Sequence, residues 1–359
     1  MTAPFDLALA VLEREVGGDA AARILRTEVR DDGGLVLTLE TPAGFRWFEC
    51  EGEQLRELRP GDEKRVPAAR ELSALCDRGE ADLLSWRPGR RMVARLNARY
   101  GAHVVKAYRR GRAVKSARLH AALHAALSAT PKGGVQSGFR LPRVLHADES
   151  EECVAFELLR GHELRFDDLG VFQRVGQALR RMQGSAPDTR LEVHGRAEEL
   201  AQLDRHARRF VLAAGSLPPG WHEARALLDE VALEPAASHV VAHRDLHDGQ
   251  LLVEGRTVAL LDLDLACRAE PELDFANLAV HTRLAGWLGL RGADDRSALS
   301  AVRALREGFG VLEERSERFY STASALRLAL VHGLRPRARL AIEPLVDVAR
   351  ESAAEMRRA

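Results

Sequence analysis

Apolar positions recur at helical spacing over residues 5 to 28 (Leu7, Leu9, Ala10, Leu12 and Val16, then Ala21, Ile24 and Leu25). Gly17-Gly18 interrupts them, so the pattern predicts two short helices. After Gly33-Gly34, the run Leu35-Val-Leu-Thr-Leu-Glu-Thr41 and, beyond Pro42-Ala-Gly44, Phe45-Arg-Trp-Phe-Glu-Cys50 read as a hairpin that begins an antiparallel sheet. Val66 to Arg78 returns to helical spacing. A second strand set follows: Leu83 to Trp86, the turn Arg87-Pro88-Gly89-Arg90-Arg91, Met92 to Leu96, and His103 to Tyr108. Three successive strands are the minimum for a stable sheet. Val114, Ala117, Ala121, Leu123, Ala126 and Leu127 then set a helix over 112–128, which Pro131 to Gly138 ends, and strands Arg143-Val-Leu145 and Cys153 to Leu159 lead to Gly161. Beyond Gly161 the helical patterns fall at roughly 168–183, 196–214, 221–232, 272–288, 296–315, 317–333 and 341–357.

The order predicts an α+β chain with a β-rich front half and a helical back half joined near Glu157 to Gly161. Its expected parts are residues 1–80, an extension of helices and a hairpin that can belong to the front half, then 81–160 and 161–359. With 359 residues, 46% of them hydrophobic, sizeable cores are within reach. The 53 basic and 53 acidic residues cancel, which removes any global field toward nucleic acid or an anionic membrane. Cys50, Cys76, Cys153 and Cys267 are scattered without a C-x-x-C pair, so four buried thiols are expected rather than a zinc site or disulfides. The start Met-Thr-Ala-Pro-Phe-Asp has no basic segment ahead of an apolar one, and no stretch holds about 18 uninterrupted apolar residues. A cytoplasmic, soluble protein is expected, with neither nucleic acid nor membrane as partner and the oligomeric state open. Lysine occurs only at 64, 106, 115 and 132, so a lysine inside a strand invites a chemical reason.

The chemistry concentrates in His243-Arg244-Asp245-Leu246-His247-Asp248-Gly249-Gln250, followed by Val258-Ala-Leu-Leu-Asp262-Leu-Asp264, an acid-rich polar loop before an apolar strand that ends in two carboxylates. If the strand persists, Asp262 and Asp264 project from one face. In order and spacing this stretch resembles the aminoglycoside phosphotransferase and choline kinase superfamily, which has the protein-kinase-like fold. His243, Asp245 and Gln250 fall on its H-x-D-x-x-x-x-N loop, and Glu270-Pro271-Glu-Leu-Asp274 resembles its Pro-x-x-Asp helix entry. The likeness spans about residues 81–335 and implies a bilobal fold, with a nucleotide-binding N-terminal lobe of antiparallel strands around one main helix and a mostly helical C-terminal lobe. It implies an ATP- (or GTP-) and Mg²⁺-dependent kinase of a small hydroxylated molecule such as an aminoglycoside, sugar or amino alcohol. On it, Asp245 is the catalytic aspartate that orients the acceptor hydroxyl. Asp262 is the principal metal ligand, Asp264 a second or a support for the loop, and Gln250 the amide ligand. His243 packs the loop, and His247 has no third ligand that would make the two histidines a metal site.

The resemblance also places Lys106 on the nucleotide phosphates, Arg90 and Arg91 at the phosphate-covering turn, and the backbone of Glu157 to Leu159 on the adenine. Pro88-Gly89 is first of all a type II turn. Asp167, Asp168 and Glu272 are candidates for an acidic acceptor cleft, which would favour cationic acceptors. Two departures stand out. Gln250 replaces the pattern's Asn, shifting its amide oxygen by a methylene. The helix over 112–128 carries no acid to pair with Lys106, only Lys115, Arg118, His120 and His124 among cationic candidates, the two histidines being read as a polar helix face. Either an acid from elsewhere pairs with Lys106, or phosphate alone holds it, or the chain is a nucleotide-binding pseudokinase acting as a regulatory or interaction module.

Overall fold

The chain enters the fold through one helix rather than two. In a computed structural model that describes residues 2–358 except 18, 43, 98–100, 130–137 and 233–237, α1 (Pro4–Val16) ends at Gly17 and a single turn at Ala21–Arg23 leads directly into β1 (Ile24–Val29). The expected second helix is absent because Ile24 to Val29 finds a ladder partner in β2 (Leu35–Thr41), and paired backbone groups outweigh weak local helical periodicity. β3 (Gly44–Glu51) completes the expected hairpin and β4 (Gln54–Leu58) adds an edge, giving the antiparallel order β1-β2-β3-β4. β4 escapes the hydrophobic pattern because its sequence QLREL leaves every residue at least partly exposed. Gly18 and Ala43, and residues 131–137 of the Pro131 to Gly138 stretch expected to end the 112–128 helix, lie outside the described residues.

After α2 (Ala69–Asp77), strands β5 (Ala81–Arg87), β6 (Arg91–Leu96) and β7 (His103–Tyr108) run antiparallel. The β5–β6 connection is the type II turn its residues demand: Gly89 has φ 72° and Arg90 N–H donates to Arg87 O at 2.9 Å. α3 (Ala113–Ala129) crosses, the two-residue β8 (Phe139–Arg140) follows, and β9 (Val144–Asp148) with β10 (Cys153–Glu157) closes a five-stranded sheet of order β5-β6-β7-β10-β9.

The back half consists of α4 (Leu169–Gln183), α5 (Arg196–Ala214), α6 (Trp221–Ala232), the short strands β11 (Val240–Ala242), β12 (Leu251–Glu254), β13 (Thr257–Leu260) and β14 (Cys267–Ala269), then α7 (Glu272–Trp287), α8 (Asp295–Phe309), α9 (Glu314–Gly333) and α10 (Ile342–Met356). Its helices fall close to where their patterns place them, except that the expected 296–315 helix ends at Phe309, where Gly310 (φ 93°) stops α8, and its last two residues belong to α9. α4 carries a stripe of core residues (Val171, Phe172, Val175, Ala178 and Leu179), whereas α7 and α9 are buried almost all round.

The first 80 residues are packed against both halves. Phe5, Ala8 and Leu12 of α1 and Leu35, Leu37 and Leu39 of β2 share one core with α5, α9 and α10. Thr27 Oγ1 donates to Leu334 O at 2.6 Å, and Arg339 pairs with Asp6 at 2.9 Å. On the other side Trp47 is buried beside α2 and the second sheet, its indole edge-on to Trp86 (centroids 5.1 Å) and its Nε1 donating to Trp86 O at 3.1 Å. All four cysteines are free, but only Cys50 and Cys267 are fully buried; Cys76 and Cys153 are half-buried. Among the described residues no helix is long and apolar enough to cross a membrane.

Candidate functional site

Strand β11 ends into His243, and the next residue, Arg244, takes a left-handed backbone with φ 73°. A non-glycine residue holds that conformation only where its surroundings fix it. Here the buried Asp274, at the start of α7, accepts the N–H of His243 (2.6 Å) and of Arg244 (2.8 Å). Asn277 Nδ2 donates to Arg244 O at 2.9 Å, and Arg244 Nη2 donates to Gln202 Oε1 at 2.8 Å. His243 is fully buried and donates from Nε2 to Leu261 O at 2.7 Å, tying the loop to the end of β13. Burial raises the Asp274 carboxyl above its usual range against the opposing pull of His243. The loop so pinned presents Asp245, half-buried, on the floor of a cavity of about 1890 Å³, and its carboxylate takes no hydrogen bond among the described residues.

The strand after this loop does not persist to the acidic pair. It ends at Leu260, Asp262 turns left-handed with φ 57°, and Leu263–Leu265 forms a single tight turn. Alternation along a strand therefore does not align Asp262 and Asp264; the turn does. Lys106 Nζ donates to Asp262 Oδ1 at 2.7 Å and to Asp264 Oδ2 at 3.2 Å, and Arg91 Nη1 donates to Asp262 Oδ2 at 3.0 Å. The acid missing from α3 thus comes from elsewhere, from the two aspartates themselves. α3 still takes part, because Ser116 Oγ donates to Asp264 Oδ1 at 2.6 Å, His120 Nε2 meets the same oxygen at 3.2 Å, and Tyr108 OH reaches it at 3.1 Å. His120, only 1% exposed, belongs to this cluster and not to a polar helix face; His124 is half-buried.

Burial works to raise both aspartates, but Lys106, joined by Arg91 at Asp262 and by His120 and Ser116 at Asp264, outweighs it. Asp262 is held below the usual carboxylate range and Asp264 well below it. Burial, then Asp264, drives the Tyr108 hydroxyl well above its ordinary value, so it serves as a donor. Tyr108 lies two residues from Lys106 on one strand face, and Ser116 and His120 are four apart on one helix face; those spacings were the available signal for Tyr108 and Ser116, which sequence reasoning missed, and for the role of His120, which it misread.

The other expected residues are spread more widely. Gln250 ends a single helical turn (Asp248–Gln250); its backbone carbonyl accepts from Leu261 N at 2.8 Å, and its side-chain amide lies 3.3 Å from His247 Nε2. Arg90 is turned to Glu28 of β1 (3.4 Å), which also accepts from Arg87 at 2.7 Å, while Gly89 N–H donates to Glu63 at 2.6 Å. The tip of that hairpin is thus held by residues of the first 80. Glu157 donates its N–H to Arg143 O at 2.9 Å and its carboxylate receives Arg140 at 2.9 Å; Leu159 is buried. Asp167 is exposed and paired with Arg165, Asp168 caps α4, and buried Glu272 accepts from Glu313 N at 2.9 Å. These three serve helix ends and loops and line no acidic cleft.

Residues 14–309 match the model of the phosphotransferase enzyme family. The chain belongs to that family. Solved structures repeat this phosphotransferase architecture at low identity: a choline/ethanolamine kinase family protein from Mesorhizobium loti (16% identity, TM-score 0.53, 78% of this chain and 92% of that one) and an aminoglycoside phosphotransferase from Streptomyces rimosus (20%, 0.52, 73% and 97%). A spectinomycin phosphotransferase solved with ADP and spectinomycin is similar at 12% identity and TM-score 0.52, covering 76% of this chain and 92% of its own. No curated protein sequence matches. The phosphotransferase has the bilobal, protein-kinase-like fold, with an antiparallel sheet lobe and a helical lobe.

Proposed function

We propose that the chain is an ATP- and Mg²⁺-dependent kinase of a small hydroxylated molecule. The observation that carries the reading is the convergence of Lys106 and Arg91 on the ionised Asp262 and Asp264, at the edge of a cavity whose floor holds Asp245. The donor set fits the metal. Asp262 and Asp264 offer hard carboxylate oxygens kept ionised by their neighbours, and the Gln250 amide is the further ligand on this reading, freed from His247 by a rotamer change. When bound, Mg²⁺ would neutralise phosphate charge. Lys106 and Arg91, now on the aspartates, are the cations that would turn to the phosphates, and the backbone of Glu157 to Leu159 would line the base. Asp245 accepts a hydrogen bond from the acceptor hydroxyl and takes its proton as the oxygen–phosphorus bond forms and the bond to departing ADP breaks. GTP in place of ATP would use the same groups.

The pseudokinase reading has less to rest on once acids meet Lys106, and keeps only the substitution at Gln250. ATP consumption screened against sugars, amino alcohols and aminoglycosides tests the proposal. Asp245→Asn is expected to lower turnover by about 10²- to 10⁴-fold with nucleotide binding intact. Absence of turnover on every acceptor, together with nucleotide binding indifferent to Mg²⁺, would sink it.

A further inference from the structure

The turn between β5 and β6 is gripped from the outside by the first 80 residues, at three points along one sheet. Glu63 follows β4 and a single turn at Pro60–Asp62, three residues ahead of the fully buried Val66. Its Oε2 accepts the N–H of Gly89 at 2.6 Å and its Oε1 the N–H of Arg65 at 2.7 Å. From β3, Trp47 Nε1 donates to Trp86 O at 3.1 Å. From β1, at the opposite edge of that sheet, Glu28 accepts from Arg87 Nε at 2.7 Å and lies 3.4 Å from Arg90 Nε. Burial would raise the Glu28 carboxyl, but Arg87, by charge and by hydrogen bond, holds it below the usual range, so it meets both arginines as an anion.

This grip sorts the donors of the turn. A turn that covers phosphates ordinarily offers them its backbone N–H groups and its cations. Here the Gly89 N–H is taken by Glu63, and Arg87 and Arg90 are turned to Glu28. Arg91 is the exception: its Nη1 donates to Asp262 Oδ2 at 3.0 Å and lies 3.6 Å from Asp264 Oδ2, while its Nε is buried with no acceptor among the described residues. A phosphate oxygen would satisfy that donor. Arg91 is the direct cross-strand partner of Arg87 in the hairpin, so what fixes Arg87 and Gly89 also fixes the point from which the Arg91 side chain starts. Glu28, Glu63, Gly89 and Arg91 line the same cavity as Asp245.

We propose that Glu63 and Glu28 are positioning residues for the nucleotide, which set the β5–β6 turn so that Arg91 meets the phosphates. This rests on the kinase reading and gives the first 80 residues a part in it. Neither carboxylate touches the reacting atoms; both act through Arg91. Holding the turn in advance lowers the ordering cost that a long side chain otherwise incurs when its ligand arrives.

Calorimetric titration of the full chain with Mg²⁺–ATP in the absence of acceptor tests this, with adenosine as the control that lacks phosphates. Arg91→Gln and Glu63→Ala are each expected to weaken Mg²⁺–ATP binding about tenfold and Glu28→Gln about threefold, with adenosine affinity within about twofold of wild type. Glu63→Gln keeps one accepting oxygen and should fall between wild type and Glu63→Ala. The deciding comparison is the double variant: on an Arg91→Gln background, Glu63→Ala should weaken binding by less than about a further twofold, because the group it positions is gone. Full additivity of those two changes overturns the positioning role. So does Mg²⁺–ATP affinity that is unmoved or improved in both Glu63→Ala and Glu28→Gln. Equal losses for adenosine and ATP reduce the contacts to packing and overturn it as well, as does a Glu63→Ala chain that does not fold alongside a Glu28→Gln chain that binds Mg²⁺–ATP like wild type. Wild-type protein that binds neither Mg²⁺–ATP nor Mg²⁺–GTP overturns the kinase reading itself, and this inference with it.

Discussion

At the scale of single residues, Asp264 is the junction through which α3 is coupled to Lys106. The hydroxyl of Ser116 meets an ionised oxygen at 2.6 Å, and bonds of that charge-assisted kind are stronger than neutral ones. Ser116→Ala is therefore expected to raise the KM for ATP several-fold by loosening the lysine's anchor; steady-state kinetics at saturating acceptor check this, and an unchanged KM would reduce Ser116 to packing. Gln250 makes the complementary case. Gln250→Ala is expected to raise the Mg²⁺ concentration needed for half-maximal rate by about tenfold, and Gln250→Asn to return it to within a few-fold, read from Mg²⁺ titrations of the rate. If Ala and Gln behave alike, the amide is no ligand. The acidic positions were legible because their spacing is local and their family pattern specific. What meets them was not: Arg91 is 171 residues from Asp262, and Ser116 148 from Asp264.

Among elements, legibility followed length. The helices of the back half run for 12 to 20 residues, long enough to show as helical spacing, whereas β1 and β4 are short and half-exposed, and were hidden. The turn at Asp262 was hidden for another reason: Asp visits the left-handed region only occasionally, so residue type permits that backbone without announcing it. Helices α4 and α8 approach so closely that a methyl on Gly308 would fall on the carbonyl of Gln173, and one on Gly176 on that of Leu305. Within a helix Gly→Ala ordinarily gains up to about 1 kcal/mol. Overpacking costs about 1–3 kcal/mol. The clash is with backbone and cannot be relieved by a rotamer, so Gly308→Ala is expected to lower stability by about 2 kcal/mol or more, measurable by urea denaturation; a stabilised variant would show that the helices separate freely.

For the molecule as a whole, buried histidines set a pH limit. Burial first, then Arg327 and Arg209, pushes His206 down to about 4, and burial with Arg335 pushes His332 down to about 3. In the unfolded chain both return to about 6.5. Above that pH the two states bind equal numbers of protons. Below it the unfolded chain takes up protons that the folded chain refuses, so stability present at neutral pH is lost progressively as pH falls toward 4. Scanning calorimetry is expected to show the melting temperature dropping from pH 7 to pH 5, with a shallower drop in His206→Gln; an equal slope in that variant would remove His206 from the account. Asp262 and Asp264 act in a lower window, beginning near the ordinary carboxylate value. The docking of the first 80 residues on both halves was not legible, because nothing in a local pattern states which distant face will cover it.

That docking has a consequence for how the chain is made. Residues 5 to 39 are made before α5, α9 and α10, with which they share a core, and the bonds from Thr27 and Asp6 close across 307 and 333 residues. At about 5–20 residues per second, the first sheet waits on the order of tens of seconds before α9 and α10 complete the core around Phe5, Leu12 and Leu37. A nascent chain in that interval is a natural client for chaperones, and expression yield should depend on translation speed through the segment that encodes α9 and α10 more than on the stability of the finished fold.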